Sequence, residues 1–283
     1  MPNLPDPQTR YRMTAAFDVA THRLGGQPRP EAKRIWGWRG RTLSGPATVG
    51  DTVAWVRVAS GRIGEIAQTF WHGNAAAQRA LPTTVPRPRL LLRDEWETRP
   101  WRYAAEMFEY ATVDPLSETA AVPAPLSGPL HLGWWTTLRG ALGTVATVPT
   151  DRFTIGPIWA SQLVVDRFGQ PVAGDYPWAT CHGDVHWANL AGGDLMLFDW
   201  EGWGSGPVGY DAATLLVHSL LVPDLAVQVR AHFADVLDGE HGRYAQQVVV
   251  AEQIWRREDT PNDPLLPVLH EHAAALRRPR SQA

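Results

Sequence analysis

The chain has a single cysteine, Cys181, so no intrachain disulfide can staple it and nothing requires an oxidising compartment. Lysine is equally scarce, since Lys33 stands alone and every other basic side chain among the 26 is arginine. No G-K-[ST] triplet occurs, which excludes a Walker phosphate loop. No apolar run is long enough to span a bilayer, and residues 1–12, rich in proline and polar side chains, lack the apolar centre of a signal peptide. A cytoplasmic protein without membrane attachment is therefore expected. Nor is there an excess of one charge: a formal net charge of −3 leaves no basic stripe for a nucleic-acid partner. What the chain has is length and apolar content, 283 residues at 44% hydrophobic, enough for one bilobal domain or for two domains with a cleft.

Against this background one segment carries chemistry. Cys181-His182-Gly183-Asp184-Val185-His186-Trp187-Ala188-Asn189-Leu190 is followed, ten residues after Asn189, by Asp199 in Leu-Phe-Asp-Trp-Glu. Phosphoryl transfer needs a carboxylate that orients the attacking hydroxyl and takes its proton, together with oxygen ligands that hold Mg²⁺ against the phosphates. Asp184 fits the first role, and Asn189 and Asp199 fit the second. An aspartate and an asparagine five residues apart can project from one short loop. Gly192-Gly193-Asp194 signals a turn, after which the apolar run Leu195–Phe198 is expected as a short strand returning Asp199 beside the loop.

These residues resemble the aminoglycoside phosphotransferase and choline kinase group of small-molecule kinases, whose pattern is H-G-D-x-x-x-x-N followed by a hydrophobic run and D-W/F. The resemblance extends through Gly202-Trp203-Gly204-Ser205-Gly206-Pro207-Val208-Gly209-Tyr210-Asp211-Ala212-Ala213, similar to the family's G-x-P-x-x-D-L-A segment. It implies an α+β, bilobal, protein-kinase-like fold, with a small strand-rich lobe over residues 1–110 and a larger helical, acceptor-binding lobe over 111–283. The implied activity is transfer of the γ-phosphoryl group of ATP, or another nucleoside triphosphate, with Mg²⁺, to a hydroxyl of a small molecule: an aminoglycoside-like antibiotic, an amino alcohol, a sugar or a nucleoside. His182 is implied to order the catalytic loop by hydrogen bonding. Asp211, at a helix N-terminus, would accept N–H bonds from its own first turn and brace that loop.

The nucleotide side is expected before residue 110. The Gly37 to Gly40 turn could bring backbone N–H groups close to phosphates, or be an ordinary hairpin. On the strand Val53–Val58, Arg57 stands where the family has lysine, and arginine's planar fork is not an ammonium point charge. Its glutamate partner is open: Glu65 is nearest, and the expected helix over 71–81 contains none. Tyr103–Tyr110 reads either as a core strand or as a hinge, with Phe108 and Tyr110 at the adenine. Helices are expected over 134–145, 211–221, 223–237, 242–257 and 265–277. Trp187 and Trp203 are candidates for stacking on a substrate if exposed. The acidic stretches 235–240 and Glu258-Asp259 could attract a polyamine-like antibiotic, although solvated helix ends explain them more economically.

Three alternatives remain. Gly183-Asp184-Val185-His186 matches the G-D-x-H opening of metallophosphatases, although no G-D-x-x-D-R or G-N-H-[DE] segment follows. Cys181, His182 and His186 have zinc-ligand chemistry, although adjacent residues rarely share an ion. A pseudokinase-like module without turnover would accommodate Arg57.

Overall fold

The computed structural model describes residues 4–122, 124–126, 128, 130–169 and 175–277. The chain forms two compact units, Met1–Ala80 with Arg87–Thr112, and Leu81–Pro86 with Val113–Ala283. Thus the strand ending at Glu109 closes the first unit, and the short connection Leu81–Pro86 goes with the second rather than with its sequence neighbours.

The first unit opens with a helix, α1 (Pro7–Arg23), where only a proline-rich start was expected. Pro7 occupies the first helical turn, where no N–H partner is needed, and the Asp6 side chain accepts from the amides of Gln8 and Thr9 at 2.9 and 3.0 Å. Met13, Ala16, Phe17 and Ala20 recur at helical spacing and are buried against Leu43, Val56, Val58 and Met107 of the sheet. That sheet comprises β1 (Gln27–Pro28), β2 (Ile35–Trp36), β3 (Thr42–Val49), β4 (Thr52–Arg62), β5 (Leu90–Thr98) and β6 (Trp101–Glu109). Its order is β1-β3-β4-β6-β5, with β2 also on β3. The antiparallel register sets Arg57 opposite Glu106 and Trp55 opposite Phe108. Between β4 and β5 the expected single helix is two pieces, α2 (Gln68–Trp71) and α3 (Gly73–Ala80).

The second unit is helical around one two-stranded ribbon. Its elements are α4 (Leu132–Ala146), α5 (Pro157–Phe168), β7 (Trp178–Cys181), β8 (Gly204–Pro207), α6 (Tyr210–Val217), α7 (Pro223–His232), α8 (Ala234–Leu237), α9 (Glu240–Trp255) and α10 (Leu265–Arg277). Helix α5 was not expected, and the stretch 223–237 breaks at Phe233 into α7 and α8. Helix α9 is the axis of the unit: Val248, Val249 and Val250 are fully buried, and α5, α6, α8 and α10 pack on it. Strand β7 pairs with β8, Cys181 opposite Gly204, which starts the motif loop at a fixed point. Among the described residues no helix is long and apolar enough to cross a membrane.

Candidate active site

The loop that leaves β7 is held from below by Asp211. One carboxylate oxygen accepts the amide of His182 at 2.8 Å and the other the amide of Gly183 at 2.9 Å. The carboxylate therefore serves the loop rather than the first turn of its own helix α6. Burial raises the Asp211 carboxyl to about 6, with the two amides pulling the other way. Gly183 has φ +86°, and a Cβ there would lie 2.0 Å from Thr154 Oγ1 and 2.8 Å from the Gly202 carbonyl. Only glycine permits that turn.

His182 is fully buried, and both ring nitrogens are engaged. The amide of Asp184 donates to Nδ1 at 3.2 Å, so the proton sits on Nε2, which donates to the Phe198 carbonyl at 2.9 Å. Burial lowers this imidazole to about 4 and keeps it neutral. The ring thus ties the Asp184 loop to the residue before Asp199. A second tie runs from the Phe198 amide to the Asn189 carbonyl at 2.9 Å. The expected strand over 195–198 reduces to a single bridge, Leu190 with Leu197, because the Leu197 amide is taken by the Pro86 carbonyl at 2.9 Å. The geometry asked of that strand is met by these bonds instead.

Asp184 presents a half-exposed carboxylate with two close neighbours. His186 Nε2 lies 3.3 Å from its Oδ2, and Asn189 Nδ2 lies 3.0 Å from its carbonyl and 3.3 Å from Oδ2. Burial would raise the Asp184 carboxyl, but the His186 charge and hydrogen bond outweigh it and hold the group well below the usual carboxylate range. His186 moves the opposite way: burial pushes it down, and Asp184 more than restores it. With Nδ2 of Asn189 committed to Asp184, its amide oxygen is left for another partner. Asp199 is exposed and has a left-handed backbone, φ 58°, ψ 72°, at the end of the segment that Asn189 anchors.

An amide oxygen and a carboxylate held this way are hard donors that suit Mg²⁺, which takes few protein ligands and completes its shell with water and phosphate. The zinc alternative fits less well. The Cys181 thiol donates to the Gly204 carbonyl at 3.2 Å and His182 has no free nitrogen.

The other sequence candidates lie in the first unit. Arg57 is buried, with Nη1 3.0 Å from Oε2 of Glu106, which also accepts from Asn74 Nδ2 at 2.8 Å. Arg93 Nε approaches the other Glu106 oxygen at 3.6 Å. The partner of Arg57 is therefore Glu106 on the neighbouring strand, while Glu65 is exposed. An acid inside the apolar run Ala104-Ala105-Glu106-Met107 was the available signal, and it was missed. At Gly37 a Cβ would meet Thr42 Oγ1 at 1.9 Å, and at Gly40 it would meet Pro5 and Thr9 within 3 Å, so packing inside this unit already requires both glycines. Phe108 lies opposite Trp55, and the Tyr110 ring, 44% exposed, is 6.4 Å from the Trp55 ring.

Trp187 and Trp203 are buried and thus cannot stack on a ligand. Trp187 packs against both Trp134 and Trp135 and donates to Ser219 Oγ at 3.0 Å. The exposed indole pair of this unit is Trp159 with Trp255, which the sequence did not single out.

No protein-family model matches the sequence, and no curated protein matches it. Solved structures do. A thermostable mutant of aminoglycoside phosphotransferase APH(4)-Ia, in ternary complex with AMP-PNP and hygromycin B, superposes with a TM-score of 0.65 at 11% identity, covering 95% of this chain and 100% of that one. The GDP complex of aminoglycoside 2'-phosphotransferase-IIIa gives 0.57 at 12%, covering 94% and 98%. A microcompartment-associated aminopropanol kinase gives 0.52 at 12%, covering 92% and 94%. At such identities the likeness is one of architecture, and on that ground the chain has the fold of the aminoglycoside phosphotransferases and related small-molecule kinases.

Proposed function

We propose that this protein is a small-molecule kinase that moves the γ-phosphoryl group of ATP, or another nucleoside triphosphate, to a hydroxyl of its acceptor, working in the cytoplasm. The observation that carries this reading is the cross-tied loop. Asp184 is half-exposed and kept ionised, Asn189 is fixed against it, and His182 locks both to the segment bearing Asp199. Neighbours of the same fold were solved with AMP-PNP, ADP and GDP, which supports a nucleotide as donor.

In this mechanism Asp184 orients the acceptor hydroxyl and takes its proton as the bond to phosphorus forms. His186 keeps the carboxylate in place and charged. Asn189 and Asp199 would hold Mg²⁺, whose contribution when bound is to neutralise phosphate charge. Arg57, steadied by Glu106 and Asn74, is the candidate phosphate contact of the first unit, with Phe108 and Tyr110 as candidate adenine contacts. Asp184→Asn should lower acceptor phosphorylation by about 10³-fold or more while leaving nucleotide affinity nearly unchanged. Full activity in this variant would overturn the assignment.

A second reading, a nucleotide-binding module without turnover, is favoured by one observation: Arg57 is committed to a strand glutamate instead of presenting a lysine. Turnover in Arg57→Lys but not in the wild type would establish it.

A further inference from the structure

Of the backbone amides that the turn between β2 and β3 could offer to phosphates, three are spent locally. The Gly37 amide donates to the Thr42 carbonyl at 3.0 Å, the Gly40 amide to the Gly37 carbonyl at 3.0 Å and the Arg41 amide to the Trp38 carbonyl at 3.1 Å. The Arg41 carbonyl accepts the Ser60 amide at 2.9 Å, which fastens the turn to β4. A backbone cradle for oxyanions needs successive amides turned outward, and these are not.

What the turn presents is guanidinium. Arg39 is exposed and has a left-handed backbone, φ 51°, where glycine or asparagine would be at ease and arginine is not. An unfavourable backbone kept under so long a side chain points to a use for that side chain. Arg39 Cζ lies 4.6 Å from the ring centre of Trp38, an indole that is 51% exposed. Arg41 Cζ lies 6.0 Å from the same indole and 3.9 Å from the Phe70 ring of α2, and Arg57 Cζ lies 5.6 Å from that Phe70 ring. Two rings thus fix where three guanidiniums stand, all inside the first unit. Stacking engages the face of a guanidinium, and an oxyanion is met by its N–H edge.

Within the first unit, acids do not match these charges in number. The turn, β2, β3, β4 and α2 contain no aspartate or glutamate. Glu106 on β6 pairs with Arg57 but is shared with Arg93. Asp6, between Pro5 and Thr9 that pack on Gly40, is bonded to the amides of its own helix, and Glu65, between β4 and α2, is exposed. These three acids stand against Arg39, Arg41, Arg57, Arg93 and the second arginine of β4, Arg62, so the excess is positive.

We infer that this turn holds the phosphates of the donor through the Arg39 and Arg41 side chains rather than through its amides, with Arg41 the cation that works beside Arg57. The first unit then recognises a polyphosphate tail by stacked guanidiniums, a task for which one lysine would otherwise serve. For its function this deepens, and rests on, the kinase reading.

The probe is inorganic tripolyphosphate, titrated by calorimetry into the whole chain without Mg²⁺, so that the reading comes from cations of the protein alone. Arg41→Gln should weaken its binding by roughly tenfold or more, Arg39→Gln by less, and Arg41→Lys should keep part of the affinity. Phe70→Leu, which removes the shared ring and no charge, should also weaken it. Arg29→Gln, an equal loss of charge at an arginine paired with Glu31, should change nothing. Tripolyphosphate affinity unchanged in Arg41→Gln, or reduced as much by Arg29→Gln, would overturn the inference. A single-stranded oligonucleotide that bound more tightly than tripolyphosphate and lost affinity in the same variants would overturn it too, by assigning the array to nucleic acid. Failure of the kinase reading would show separately, as acceptor phosphorylation that survives Asp184→Asn.

Discussion

Glu106 shows how a single residue can be decisive and yet hidden in the sequence. It is 1% exposed and holds Arg57, Asn74 and Arg93 together. Removing it strands the Arg57 charge in the sheet. Glu106→Ala should therefore cost about 3–5 kcal/mol in urea unfolding, with Glu65→Ala near zero; equal effects would refute the pairing. Sequence proximity pointed to Glu65, because pairing across a sheet is set by strand register, which no local spacing encodes. Asp184, Asn189 and Asp199 were legible for the opposite reason: their relation is local, fixed by one loop and one tight return. Buried histidines add a pH dependence. His182 and His272 are lowered to about 4 from an ordinary 6.5, so between those values the unfolded chain binds protons that the folded chain does not. Their contribution to stability is full above that range and is lost as pH falls through it. Asp211, raised to about 6, acts in reverse, losing its contribution as pH rises from about 4 to 6. His272 lies on α10, apart from the loop, so His272→Gln should shrink the stability loss between pH 7 and pH 4.5 by up to about one proton's worth. An unchanged loss in denaturant titrations at the two pH values would contradict this.

At the scale of elements, the helices read from the sequence were those whose apolar residues repeat every three or four positions. Helix α10 was read to the residue, and α4, α6 and α9 within a few residues at most ends. Helix α1 escaped because prolines flank it and most of its surface is polar; its helical face is carried by Met13, Ala16, Phe17 and Ala20 alone. Residues 86–92 read in the sequence as a loop entering a strand, which is where β5 begins; the rest of β5 escaped because it lies at the sheet edge with charged Arg93, Asp94, Glu95 and Glu97, a composition that protects an edge but masks alternation. Helix α1 is nevertheless integral to the sheet, since Phe17 is 1% exposed within the sheet's core cluster. Phe17→Ala should cost about 3–5 kcal/mol by urea unfolding, as for other buried aromatics. A loss below about 1 kcal/mol would mean that the helix is only peripherally attached.

For the whole molecule, the strand-rich first part and helical second part followed from where alternating and helical patterns occur along the chain. The transfer of Leu81–Pro86 to the second unit did not, because it depends on a long-range bond from the Leu197 amide to Pro86. That same bond helps to carry Asp199 to the loop, so fold and site share a contact that sequence alone conceals. The central claim is that this loop and Asp199 form a Mg²⁺-dependent nucleotide site. The most direct measurement is calorimetric titration of ATP, with and without Mg²⁺, into the wild type and Asp199→Ala. The account predicts micromolar, Mg²⁺-dependent binding that Asp199→Ala weakens by roughly tenfold or more. No binding to the folded wild type, or binding indifferent to both Mg²⁺ and Asp199, would contradict it.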